Sequence, residues 1–325
     1  MPYDLSDKLV IGISSRALFE LEEEDRIYRK LGLERYREYQ LEKEDELLEP
    51  GTAFPLIQGL LALNRGERRV EVIIVSKNHP ETGLRMFRSI DHFGLDVVRA
   101  AFTGGETIVP YLQAFGVDLF LSRSVEDVQE AIDAGVPAAV LYNQPESSSE
   151  VDALRIAFDA DAVLFSEESE AIYKAHGLDA FLAHERENAE QAMQEGPLAR
   201  LLLKLSALQR GDPEDSAVRI AIVTARNSPA HERVIKTLRA WGVPVDAAFF
   251  LGGISKDRVL EAYRAHIFFD DQEAHLSSAS RYVPSALVPY RSTSVLRAPP
   301  ESPPEQPRAE DIVPPPAPDD ESESA

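Results

Sequence analysis

The chain has 325 residues, with 56 acidic against 34 basic side chains, a formal net charge of −22, 44% hydrophobic content and no cysteine. That length is enough for two ordinary domains with cores of their own, and the acidic balance argues against a surface that tracks nucleic-acid phosphates with clustered Lys and Arg. The missing cysteines exclude disulfides, thiolate nucleophiles and thiolate-held metals, and no apolar stretch approaches the roughly 20 residues that span a bilayer.

The first residues, MPYDLSDKLV, have neither the basic region nor the long apolar stretch of a secretory signal, so a cytoplasmic location is expected. A β-rich run, VIGISSRALF (10–19), follows, and after it VEVIIVSKNHP, FGLDVVRAAFTGG, VDLFLSR and PAAVLY, separated by amphipathic segments. The polar, Pro/Ser-containing stretch NQPESSSEVD (143–152) reads as a linker.

Beyond it the pattern returns. At an offset of 145 residues, LVIGISSRALFELEEEDRIYRKLGL lies over LRIAFDADAVLFSEESEAIYKAHGL. Extra residues in the DPEDSA turn shift the offset to 148, and from there VEVIIVSKNHP faces VRIAIVTARNS, FGLDVVRAAFTGG faces WGVPVDAAFFLGG, and VDLFLSR faces AHIFFDD. A period this long indicates duplication of a whole domain rather than a solenoid. The expected units are 1–145 and 152–292, the second carrying a small helical cap within about 166–216, followed by a disordered acidic, Pro-rich tail over 297–325. Strands are predicted near 154–159, 219–224, 246–251, 265–270 and 285–289, with helices near 196–210, 229–241 and 256–264. Alternation of this kind implies a parallel sheet between helical layers, with ligands at the carboxyl ends of the strands.

Asp159 ends the first strand of the second unit and Asp161 stands two residues on. Two carboxylates so close to an apolar strand are costly unless a cation or donors neutralise them, which suggests a magnesium site. Thr224 ends the strand RIAIVT, Lys256 opens a helix after LGGIS, and Asp270-Asp271 closes AHIFF. Each has a plainer reading: solvated turn carboxylates for Asp159 and Asp161, a β-branched strand end for Thr224, an exposed helix residue for Lys256, and a cap for a helix beginning at QEAHLSS for Asp270-Asp271. The histidines show no ligand spacing, so no zinc is inferred.

These four pieces, in this order, resemble the motifs of the haloacid-dehalogenase-like phosphatases. ISSRALFELEEE, RAAFTGGE, AFDADAVLFSEESE and HIFFDDQ further resemble the cytosolic type I 5'-nucleotidases. The resemblance implies a three-layer αβα, Rossmann-like fold and Mg²⁺-dependent hydrolysis of nucleoside 5'-monophosphates, with AMP favoured. It casts Asp159 as nucleophile and metal ligand, Asp161 as acid–base group and metal ligand through its carbonyl, and Asp270 as metal ligand. Thr224 and Lys256 become phosphate donors, Asp271 orients Lys256 or a metal-bound water, and Arg226 reaches substrate, unless it belongs to an ordinary solvated helix start. Two rivals are a phosphatase of another small phosphoester such as a sugar phosphate, and a non-catalytic nucleotide sensor.

In the first unit the same positions hold Ser14, Arg16, Ser76, Ile108 and Ser122-Arg123, so that copy should be catalytically silent. Arg16 and Arg123 form a candidate effector anion site for a nucleotide, or else pair internally with acids such as Glu20 or Glu22. A homo-oligomer is compatible with the sequence.

Overall fold

The structure, a computed structural model, describes residues 3–64, 66–142, 153–209 and 217–297. The predicted linker 143–152, most of the DPEDSA turn and the acidic tail from residue 298 on lie outside the described residues.

The first half runs β1 (Leu9–Ile13), α1 (Ser15–Leu18), α2 (Glu22–Glu42), α3 (Phe54–Leu61), β2 (Val70–Ser76), α4 (Gly83–His92), β3 (Arg99–Phe102), α5 (Val109–Ala114), β4 (Leu119–Ser122), α6 (Val125–Asp133) and β5 (Ala138–Leu141). The second half runs β6 (Leu154–Phe158), a wide turn over Ala160–Leu164, α7 (Glu168–Glu187), α8 (Ala199–Leu208), β7 (Val218–Thr224), α9 (His231–Ala240), β8 (Ala247–Phe250), α10 (Asp257–Tyr263), β9 (Ile267–Asp270), α11 (Glu273–Ala279) and β10 (Ser285–Leu287). The predicted strands of the second half are therefore present, each within two residues of its expected ends.

All ten strands form one sheet in the order β3-β2-β1-β4-β5-β10-β9-β6-β7-β8, parallel within each half. The halves meet where β5 and β10 pair antiparallel. Their strands consequently run in opposite directions, and the two carboxyl edges open on opposite edges of the sheet. The strand registers correspond: Leu9 faces Val70 as Leu154 faces Val218, and Ile11 faces Leu119 as Ile156 faces Ile267.

Strict alternation along the strands covers both faces. Leu9, Ile11, Ile13, Val70, Val72 and Ile74 enter a core that continues through Ile156, Phe158, Ile220 and Ile222 of the second half, whereas Val10, Ile73 and Val75 point into a separate cluster on the other face. A buried strand with apolar residues on both faces is what a parallel sheet between helices demands. Phe158 stacks on Phe269 at 5.3 Å between ring centroids, joining the two strands that carry the key aspartates.

The long helices α2 and α7 are each broken at a glycine in the left-handed region, Gly32 (φ 81°) and Gly177 (φ 80°), where no other residue sits without strain. After α7 the chain returns beneath the turn that follows β6, with Gly196 pressed against it. A Cβ on Gly196 would fall 2.3 Å from the Phe165 carbonyl oxygen, so Gly196→Ala should destabilise the fold by roughly 1–3 kcal/mol or more, read as a lowered urea midpoint with an unchanged m value.

Candidate active site

β9, β6 and β7 are neighbours in the sheet, and their carboxyl ends deliver Asp270, Asp159 and Thr224 side by side at strand spacing, roughly 4.8 Å. One carboxylate oxygen from each of Asp159, Asp270 and Asp271 lies within 4.8 Å of the others, and all three residues are buried. Lys256, the cap residue of α10, is 3% exposed and places Nζ 3.0 Å from Asp159 Oδ1 and 2.6 Å from Asp270 Oδ2. Asp270 also accepts the Gln272 backbone N–H at 2.8 Å and lies 3.1 Å from His275 Nδ1, so it anchors the start of α11 while facing the site. Thr224 Oγ1 accepts the Arg226 backbone N–H at 3.2 Å.

One ammonium does not satisfy three buried carboxyls. Burial pushes Asp159 up to about 7 despite Lys256, with Asp270 and Asp161 adding like charge. Burial likewise pushes Asp271 up to about 8, reinforced by Asp159 and Asp270. Burial opposes ionisation of Asp270 too, but Lys256 and His275 outweigh it and hold that carboxyl below its ordinary range. Lys256 in turn stays charged against its burial because Asp159 and Asp270 flank it. Asp271 Oδ2 takes the Tyr290 hydroxyl, while its Oδ1 is buried without a hydrogen-bond partner. Asp159 Oδ1 meets Lys256 only as an ion pair, with no aligned hydrogen bond. One unpartnered carboxylate oxygen, and a second held only by an ion pair, in an all-oxygen acidic group match the donor set of a hard divalent cation.

Asp161 and Arg226 stand apart from this group and are paired with each other. Arg226, 4% exposed, directs Nε and Nη2 to the two oxygens of Asp161 at 2.7 and 2.6 Å, and Nη1 to Glu185 and to the Ala230 carbonyl. This alters the sequence expectation for Arg226: as the protein stands, its guanidinium is spent on protein carboxylates rather than offered to a ligand. The physical reason is that β6 and β7 are adjacent, so residues two beyond Asp159 and two beyond Thr224 face each other, and a bidentate buried pair is the strongest contact available to both. Asp161 lies in the wide turn after β6, where Ala162 takes a left-handed φ of 56°, a costly backbone state for alanine that the surrounding packing holds.

Sequence reasoning missed three of the residues here. Glu185, on α7, joins Arg226 and Arg233 and accepts the Ser169 hydroxyl at 2.8 Å, tying the inserted helix to the Asp161 turn. His275 and Tyr290 reach Asp270 and Asp271 from beyond the last motif. None carries a local signal, since each is one polar residue in a polar stretch. Asp271, expected only to orient Lys256 or a water, belongs to the acidic group itself.

In the first half the corresponding strand ends carry Ser14, Ser76 and Ser122, and Ile108 is buried in place of Lys256. Of the two expectations for Arg16 and Arg123, an anion site or internal pairing, the structure shows the internal pairs. Arg16 pairs with Glu22 and Asp25 at 3.1 and 3.0 Å, and Arg123 with Glu22 and Glu20 at 3.0 and 3.6 Å. Both guanidiniums share Glu22, so the acids neutralise the field an anion would need.

Comparison with known proteins places the chain among relatives. A family model described as 5'-nucleotidase matches residues 1–295. Human cytosolic 5'-nucleotidase 1B is 37% identical over 288 residues, covering 84% of this chain and 47% of that protein, so the chain spans about half the length of this curated relative. Among solved structures, a candidate universal stress protein from Pseudomonas aeruginosa UCBPP-PA14 aligns with a TM-score of 0.33 at 10% identity, covering 72% of this chain and 87% of that one. Histidinol dehydrogenase from Elizabethkingia anophelis aligns with a TM-score of 0.22 at 11% identity, covering 85% of this chain and 51% of that one. Neither structural likeness bears on the fold or the function. No described helix is long and apolar enough to cross a membrane.

Proposed function

The chain belongs to the 5'-nucleotidase family, and from that premise we propose that it is a phosphoric monoester hydrolase acting on nucleoside 5'-monophosphates, with AMP the leading substrate. The observation that carries the reading is the cluster of Asp159, Asp270, Asp271 and Lys256 at adjacent strand ends. Within the same proposal the fold is haloacid-dehalogenase-like and duplicated, with the second half catalytic and the first silent. The relative's cytosolic designation and the absence of cysteine support a reducing compartment.

Asp159, Asp270 and Asp271 are the residues that would hold Mg²⁺. Bound there, the ion supplies the positive charge that lets an anionic phosphate approach a carboxylate. A carboxylate oxygen of Asp159 forms a bond to phosphorus as the bond from phosphorus to the nucleoside oxygen breaks. The departing oxygen takes its proton from Asp161, and water then attacks phosphorus, returns a proton to Asp161, releases phosphate and regenerates Asp159. Lys256 and Thr224 donate to the phosphate oxygens as charge redistributes.

In the present geometry both oxygens of Asp161 lie in the Arg226 fork. The fork takes one lone pair of each oxygen and fixes the orientation of the carboxyl, which makes Arg226 a positioning residue. Arg226→Lys keeps the charge but loses the fork and should lower kcat by about 10²-fold with little change in KM. The activity itself is tested by phosphate release from AMP, IMP, CMP and a set of sugar phosphates, with and without Mg²⁺. Release from nucleoside monophosphates that depends on the metal is expected; release from sugar phosphates alone would overturn the assignment.

A further inference from the structure

The first half carries a pocket of its own at its carboxyl strand ends, about 320 Å³ in volume, on the opposite edge of the sheet from the acidic cluster. Its floor is hydroxyl-rich. Ser14, Ser76 and Ser122, at the ends of the neighbouring strands β1, β2 and β4, all line it, where the second half has Asp159, Thr224 and Asp270.

Ser15 and Ser76 share a hydrogen bond at 2.9 Å, and the Ser15 hydroxyl accepts from Asn78 Nδ2 at 2.9 Å. Ser122 accepts the Ser124 N–H at 3.1 Å. Ser14 is 7% exposed, and its Oγ is buried with no hydrogen-bond partner.

One wall is apolar and aromatic, made by Leu33, Tyr36 and Tyr28. Tyr28 meets Tyr36 edge-on at 5.7 Å and is itself 51% exposed, so part of its ring remains open to a flat partner. The charged lining is self-neutralising. Arg16, Arg29 and Lys77 stand against Glu24, Asp25, Glu126 and Asp127, three cations to four acids. Arg29 pairs with Asp25 at 2.9 Å, and Lys77 pairs with Asp127 at 2.6 Å.

From this combination we propose that the first half binds an uncharged nucleoside, its ribose hydroxyls on the serine floor and its base against Tyr28. Arg16, Arg29 and Lys77 are each ion-paired with an acid, and among the described residues no carboxylate group is gathered there for a metal. This pocket stands apart from the acidic cluster and from the hydrolysis assigned to it.

The test is isothermal calorimetry of adenosine, AMP and free ribose on the full chain. Every protein carries Asp159→Asn, so that AMP is not turned over, alone or combined with Ser14→Leu or Tyr28→Ala. The pocket's share of binding is the part lost on adding Ser14→Leu. Tyr28→Ala, at an exposed position that should leave folding intact, is expected to weaken that share by roughly fivefold or more, the size of one base–aromatic stack. AMP and ribose should each bind the pocket at least about tenfold more weakly than adenosine.

Adenosine binding unchanged by both substitutions overturns the site. AMP bound there as tightly as adenosine overturns the neutral-ligand assignment, and ribose bound as tightly overturns the role of Tyr28. Should the wild-type chain release no phosphate from any monophosphate, the hydrolase reading fails while this comparison stands.

Discussion

Asp159→Asn should abolish phosphate release from nucleoside monophosphates, lowering kcat by on the order of 10⁴-fold or more, while the protein remains folded. The amide keeps the shape of the carboxyl but offers no anionic oxygen to phosphorus, so the covalent step is lost. Stability should not fall with it. Asp159 is buried among like charges, with Asp270 and Asp161 both opposing its ionisation. A neutral side chain there relieves that repulsion, and the thermal midpoint should hold or rise. Steady-state phosphate release together with a thermal melt separates the two effects. A variant within tenfold of the wild-type rate would remove Asp159 as the nucleophile.

Lys256→Met should be costly in both respects. The ammonium lies between Asp159 and Asp270 at 3.0 and 2.6 Å, and all three side chains are buried. Removing one partner of a buried ion pair leaves uncompensated charge and typically costs about 3–5 kcal/mol. Urea unfolding in the absence of divalent cations should show a loss of that size. Millimolar Mg²⁺ should restore part of it, because a cation bound to the native carboxylates stabilises by mass action, about 2.7 kcal/mol at a hundred times its dissociation constant. Turnover should fall by about 10²-fold or more with the loss of a phosphate donor. An unfolding free energy within about 1 kcal/mol of wild type, with no response to Mg²⁺, would be incompatible with this ion pair as a structural element.

Much of the sheet was legible because its signals are local. The β-rich runs at 154–159 and 219–224 are strands, and Asp159 and Thr224 stand where such runs end. Lys256 opens a helix, as its position after LGGIS predicted. The plainer reading of Asp270 as a helix anchor and the site reading describe the same residue, which accepts the Gln272 N–H and still faces Lys256. The fate of Arg226 could not be read in the same way. Its partners are 65 and 41 positions away in the chain. Tyr290 and Asp271 lie closer in sequence but are brought together only by the path of the segment that follows β10. The arginines of the first half show the same limit, since the sequence names Glu20 and Glu22 as partners or an anion as ligand with equal ease.

What the amino-acid order determined by itself is which residues end strands and which open helices, and so which acids, hydroxyls and lysine arrive at the carboxyl edge of the second half. Short apolar runs closed by polar residues are a property of the chain alone, and they dictate that outcome. What only the tertiary structure decided is which of those groups meet. Pairing of Arg226 with Asp161, inclusion of Asp271 in the acidic cluster and neutralisation of Arg16 and Arg123 all depend on distances between segments far apart in sequence. A buried charge takes whichever partner the sheet order brings within reach.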